Sequence, residues 1–242
     1  MKKIYLGFDG MTLEDLVAVA RGGAHVCLKK QSEQKIRKSR KLIEEWVRAG
    51  VSVYGVTTGF GALSDITISE KDTRKLQKNI LMSHSAGTGE NLDEETVKAI
   101  MALRIKDLAK GHSSIRVETV RCLIEMLNGG ICPVVPEKGS VGASGDLAPL
   151  AHLSLVLIGM GEAFYQGKKL TGSQALKKCG LAPIELESGE GLALVNGTQV
   201  MTAIGSLTVY DAIQLSKITD IAAAMSLEVL MGSRTEFDQR IH

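Results

Sequence analysis

The chain has 242 residues, which suits one large domain or two small ones and is enough to bury a real core. Its 44% hydrophobic and 23% charged residues give an ordinary soluble globular composition, so no fibrous or disordered class is indicated. With 29 Lys and Arg against 27 Asp and Glu, the net charge of +2 supplies no electrostatic reason to expect a nucleic acid or a membrane as partner.

Thr12-Leu-Glu-Asp15 reads as a capping box that opens a short helix through Arg21. Over 32–49 the spacing places Ile36, Leu42, Ile43, Trp46 and Val47 on one side of a helix that Gly50 stops. The basic stretch from Lys29 to Lys41, broken by Glu33, is a solvated face. Val51 to Gly61 (VSVYGVTTGFG) keeps no amphipathic period and reads as a loop, with room for a brief strand before it. Ser69 to Ser83 is helical, and His84 to Glu90 (HSAGTGE) is a second glycine-bearing loop. Asn91-x-x-Glu94 caps a helix running to Lys110 and Gly111.

Val117 to Leu127 is a further helix, ended by Asn128-Gly129-Gly130. The prolines and glycines of Ile131 to Gly145 argue against any regular element there. Asp146 then caps a helix from Leu147 to about Gly159, an apolar stretch too short to span a bilayer. Residues 163–172 form a small hairpin around Gln166-Gly167. Val200 to Met231, with few charges and Gly205 near its start, reads as one long, mostly buried helix of a bundle. No internal repeat or flexible linker is visible. The class is mainly α, with small β elements and several glycine-rich loops of the kind that carry sites. The cysteines at 27, 122, 132 and 179 lack zinc-ribbon or redox-dithiol spacing, and the first ten residues lack a signal-peptide pattern. Reduced thiols and a cytoplasmic location are expected.

The chemistry is concentrated in Pro136 to Pro149, PEKGSVGASGDLAP. Gly142-Ala-Ser-Gly145 places small residues around a serine just before a helix N-terminus. Without a Cβ, the nitrogen of Gly145 can approach the carbonyl carbon of Ala143. Attack there closes a five-membered ring around the Ser144 backbone. Loss of that carbonyl oxygen as water, then of the Ser144 hydroxyl, leaves an exocyclic methylidene, an electrophile made from the chain itself. The positive end of the following helix stabilises negative charge arriving at the ring.

Ala143-Ser144-Gly145 within GSVGASGDLAPLAHL resembles the methylidene-imidazolone (MIO) motif of the aromatic amino acid ammonia-lyases. Segments similar to that family also stand at 53–61 (VYGVTTGFG), 76–90 (LQKNILMSHSAGTGE), 127–140 (LNGGICPVVPEKGS) and 191–199 (GLALVNGTQ), in family order across essentially the whole chain. The resemblance implies the N-terminal, MIO-forming part (1–242) of the ammonia-lyase, fumarase/aspartase-like fold, with 200–231 the start of the helical bundle. Ser83-His84 matches the histidine-specific branch; phenylalanine-specific members carry an apolar pair there. The implied reaction removes ammonia from L-histidine to give urocanate. The resemblance assigns Tyr54 as a loop acid/base over the MIO, and His84 as a contact of the substrate ring. Asn196 would contact the prosthetic group or the substrate carboxylate, and Asp146 would assist ring closure. His112 and His152 read as a loop residue and a helix residue packed near the core.

Family members continue for about as long again beyond Phe237-Asp238. The active site there is shared between subunits of a homo-oligomer and draws a tyrosine, an arginine, a phenylalanine and a glutamate from the second half. Arg116 and Arg234 lie outside the matching motifs. In Gly111-His-Ser-Ser-Ile-Arg116 a serine stands at 114 where many members have glycine. Three readings follow: a lyase whose C-terminal half lies on the same or a second polypeptide; a non-catalytic truncated homologue acting as an interaction or regulatory protein; or a lyase or aminomutase for another aromatic amino acid. Ser83-His84 argues against the third. By itself the 242-residue chain is expected to keep Ala-Ser-Gly unmodified, to be inactive and to associate.

Overall fold

The computed structural model describes residues 2–7, 9–59, 70–142 and 145–241, and for residues 70 and 71 the backbone alone. Two compact units divide the chain, Met1–Ile204 and Gly205–His242.

In the first unit, β1 (Lys3–Leu6) and β2 (His25–Leu28) pair in parallel across α1 (Leu13–Ala20). Thr12 caps α1, its Oγ1 accepting from Asp15 N at 3.1 Å. α2 (Lys30–Arg48) buries Ser32, Ile36, Arg40 and Ile43, while Leu42 is 45% exposed. The inward stripe is therefore rotated from the apolar one expected. The cause is Arg40, whose Nη1 donates to the Ser114 and Ser188 carbonyls, each at 2.9 Å, and so turns a polar side chain toward the core.

α3 (Glu70–His84) leads into β3 (Thr88–Asn91), antiparallel to β5 (Pro136–Lys138). Part of the expected HSAGTGE loop is thus a strand. Because Asn91 ends β3, the cap of α4 (Glu94–Leu108) falls to Asp93, whose Oδ1 accepts from Thr96 N at 2.7 Å. After α5 (Val117–Asn128), the proline-rich stretch expected to be irregular carries two short strands, β4 (Cys132–Pro133) and β5. β4 pairs with β6 (Glu162–Tyr165), and β6 with β7 (Lys168–Thr171), in a hairpin turning through Gln166 and Gly167 at φ of 49° and 74°. α6 (Leu147–Leu157) admits Pro149 because a first-turn residue needs no N–H. α7 (Gly172–Lys178) opens on a Thr171/Gln174 capping box, and α8 (Glu190–Val195) precedes α9 (Gln199–Val229).

α4 is central. Its Val97, Ile100, Met101, Ile105 and Leu108 are fully buried against α1 and α5, each contributing about 1.5–3 kcal/mol by leaving water. α6 packs on α3 and α8, which fixes the glycine-rich loops at their ends.

The second unit is the remainder of α9 and a short 3-10 turn, Thr235–Phe237. The sequence leads one to expect a mostly buried helix, but Ile213, Leu215, Ile218, Ile221, Met225 and Val229 are exposed. Their composition calls for apolar surroundings that these residues do not themselves supply. Among the described residues, Glu190–Val229 is also the stretch with the length and composition to cross a bilayer.

Candidate active site

Ala143 and Ser144 lie outside the described residues, but both flanks of the motif are placed. Gly145 has φ of +109°, in the region that favours glycine. A Cβ there would stand 2.8 Å from the C and N atoms of Gly197 and closer still to its carbonyl oxygen. Position 145 is therefore a glycine for two independent reasons, backbone conformation and close approach to Gly197. These residues fit an MIO group formed from Ala143-Ser144-Gly145.

Asp146 is wholly buried. Its N–H donates to Gly197 O at 2.6 Å. Its side chain does not cap its own helix α6, as the sequence suggests. Instead Oδ2 accepts from Val200 N at 2.8 Å and Met201 N at 3.0 Å, capping α9, while Oδ1 accepts from Ser140 Oγ at 2.9 Å. The carboxylate ties the N-termini of two helices together and neutralises the positive end of α9.

Asn196 is exposed at the end of α8, and its carbonyl accepts from Arg104 Nη1 at 3.0 Å. Arg104, 2% exposed on α4, also donates to Gln199 Oε1 at 2.7 Å and, through Nη2, to Ala193 O. A side chain at 197 would overlap Arg104 Nη1 and Gln199 Oε1, so Gly197 lets the guanidinium reach the main chain. Burial pulls the Arg104 pKa down to about 10, opposed by Asp107, which leaves it a cation at neutral pH. Sequence reasoning missed this residue. Its signal was an arginine inside the apolar stripe of α4, four residues from both Ile100 and Leu108.

Tyr54 is 56% exposed on a turn held by Thr57, whose Oγ1 accepts from Val53 N at 2.8 Å and donates to Val51 O at 2.6 Å. Gly55 packs on Leu192, so this turn rests on α8 just before Asn196. Phe60 and Gly61 of the expected loop lie outside the described residues. The structure thus gathers the Tyr54 turn, Gly145-Asp146 and Asn196-Gly197 around α8. His84 is the last residue of α3, its Nδ1 2.9 Å from Ile80 O. The same nitrogen lies 3.1 Å from Ser83 Oγ, so the ring is oriented by Ile80 O and the Ser83 hydroxyl together.

The frame behind the site is ionic. Glu190, fully buried, accepts from Arg116 Nε at 2.9 Å, Thr119 Oγ1 at 2.6 Å and Glu187 N at 2.8 Å. Ser114, at the position where glycine is common in the family, donates from Oγ to Gly189 O at 2.7 Å and so joins the same frame. The Cys122 and Cys132 thiols are pushed up to about 12 by burial, which makes them inert packing groups.

The aromatic amino acid lyase family model matches residues 11–242. The histidine ammonia-lyase of Alkaliphilus oremlandii is 53% identical over 242 residues, covering 100% of this chain and 48% of that protein. Among solved structures, histidine ammonia-lyase from Trypanosoma cruzi matches with a TM-score of 0.92 and 35% identity, over 99% of this chain and 47% of that one. Phenylalanine aminomutase from Pantoea agglomerans matches with a TM-score of 0.92 and 34% identity, over 100% and 46%. The chain spans about half the length of the curated relatives it matches. With its mainly helical fold and a family match over nearly every residue, the chain belongs to the aromatic amino acid lyases.

Proposed function

We propose that this chain contributes the electrophile-forming part of a cytoplasmic histidine ammonia-lyase, which eliminates ammonia from L-histidine to give urocanate. The observation that carries the reading is the seat of Gly145 against Gly197, beside Asn196, in a chain so similar to histidine ammonia-lyases. The MIO group from Ala143-Ser144-Gly145, once formed, supplies an electrophile for the substrate amine. The remaining roles belong to side chains of this chain. Tyr54 on its exposed turn is the candidate base for the β-proton. His84 contacts the substrate imidazole and holds that ring in register. Asn196 faces the prosthetic group or the substrate carboxylate, where buried Arg104 and the start of α6 favour negative charge. Asp146 assists ring closure by clamping the loop to α9 rather than by exchanging protons with it. The rest of the site comes from the length by which relatives exceed this chain, on the same or a second polypeptide, in a homo-oligomer.

The test is made in the complete enzyme. Wild type is expected to release ammonia and urocanate from histidine, and Ser144→Ala to abolish this. His84→Leu is expected to lower kcat/KM for histidine roughly ten- to hundredfold while sparing phenylalanine, because an apolar ring has no hydrogen bond to lose. An equal fall for both substrates would remove His84 from substrate choice. Isomerisation of phenylalanine without turnover of histidine would favour an aminomutase.

A second expectation follows from α9. An apolar face of this length exceeds what monomers expose. The 242-residue chain should self-associate, with apparent mass in sedimentation rising with concentration. A monomer at high concentration would contradict it.

A further inference from the structure

We infer that His152, on the helix that follows Gly145-Asp146, is a positioning residue that fixes where His84 stands. This rests on the reading of His84 as the contact of the substrate ring. From sequence, His152 is only a helix residue packed near the core. In the fold, Gly87 N donates to His152 Nε2 at 3.0 Å. An imidazole nitrogen accepts only when it lacks its own proton, so the ring is neutral with its proton on Nδ1. Burial lowers the His152 pKa, which favours the same neutral form.

The path from Gly87 to His84 is short and fully bonded. Ser85 N donates to Leu81 O at 3.1 Å and Ala86 N to His84 O at 2.8 Å, so the chain turns directly off the end of α3. Gly87 is the next donor, and its bond leaves α3 altogether for α6. The same residue is pressed between α6 and β5, with Lys138 O and Pro136 within 3.2 Å of where its Cβ would lie. His152 therefore ties the exit of the helix carrying His84 to the helix that begins at the proposed electrophile. One imidazole sets the separation of the two groups that must meet the two ends of one substrate. A displaced positioning group weakens the reaction without touching the bonds that change.

In the complete enzyme, His152→Leu removes the acceptor, whereas His152→Gln can offer Oε1 to Gly87 N. His152→Leu is expected to raise KM for histidine roughly tenfold, with a smaller change in kcat and little change for phenylalanine. His152→Gln should recover most of that loss even where its melting temperature falls as far as that of His152→Leu. Hydrogen exchange over 84–88 should quicken in His152→Leu and stay near wild type in His152→Gln. Equal losses in both variants, equal losses for both substrates, or unchanged exchange in His152→Leu would each overturn the inference. A wild-type enzyme that ignores histidine would instead sink the functional reading, and the exchange result would still decide whether His152 holds the turn.

Discussion

Replacing Arg104 by methionine is expected to cost about 3–5 kcal/mol of stability, the largest single loss foreseen in this chain. Methionine fills most of the space but donates nothing. The Ala193 and Asn196 carbonyls and Gln199 Oε1 would be left without the donor they now share. Hydrogen bonds to a charged group contribute about 1.5–3 kcal/mol each, and these part-buried acceptors would recover only some of that from water. The arginine is not there for stability alone. Its Nε has no partner among the described residues, and burial depresses its pKa, so the fold carries a partly unsatisfied cation in its core. The return is the placement of 193–199, the segment that backs Gly145. Thermal denaturation should show a fall of roughly 10 °C for Arg104→Met. Arg104→Lys, which keeps charge without the fork, should lose less stability but still lose activity. A methionine variant within about 1 kcal/mol of wild type would show that the three bonds are dispensable.

Arg104 also marks where sequence reading stopped. Elements announced by local chemistry were legible: the Thr12 cap, the Gln166-Gly167 hairpin and the helix after Asp146 all stand where short-range rules put them. What escaped depends on distant partners. β3 and β5 exist because their backbones pair across 45 or more residues, and β3, exposed throughout, has no alternation to read. Asn91 and Asp93 are equal caps on paper until β3 takes the first of them. The inward face of α2 was misplaced because Arg40 is drawn in by carbonyls at 114 and 188. Asp146 was recognised as a cap, but the helix it caps is α9, 53 residues on, and no local rule could say so.

The candidate site divides in the same way. The residues at 54, 84, 143–146 and 196 came from motif resemblance, which records chemistry without geometry. The structure adds the reason why the Tyr54 turn, Gly145-Asp146 and Asn196 come together: α8 receives the Tyr54 turn on Leu192 and hands the chain to Gly197 beneath Gly145. The residues that hold these groups, Arg104 and His152, were invisible because each sits in an ordinary helix and acts through main-chain atoms of another segment.

Gly145→Ala is expected to leave a folded enzyme with no more activity than Ser144→Ala. Two penalties meet at this position. A non-glycine residue at φ +109° costs of the order of 1–3 kcal/mol of backbone strain. The new methyl would also fall against the backbone of Gly197, which is held from the other side by the 2.6 Å bond from Asp146 N and by Arg104 and Gln199 beyond it. Neither segment can retreat without breaking that bond or the cap on α9. The strain is therefore expected to displace Gly145 itself, whose nitrogen closes the ring in the proposed chemistry. Gly142→Ala is the control. It too has a positive φ, 68°, but among the described residues nothing stands within 4 Å of its Cβ, so it lacks the collision with Gly197 and should retain most activity. Intact mass of the complete enzyme should show the loss of two waters in wild type and Gly142→Ala and its absence in Gly145→Ala. Borohydride should inactivate only the dehydrated proteins. A Gly145→Ala enzyme that loses both waters and turns over histidine at the wild-type rate would mean that the contact with Gly197 does not govern closure, and that the ring forms under some other constraint.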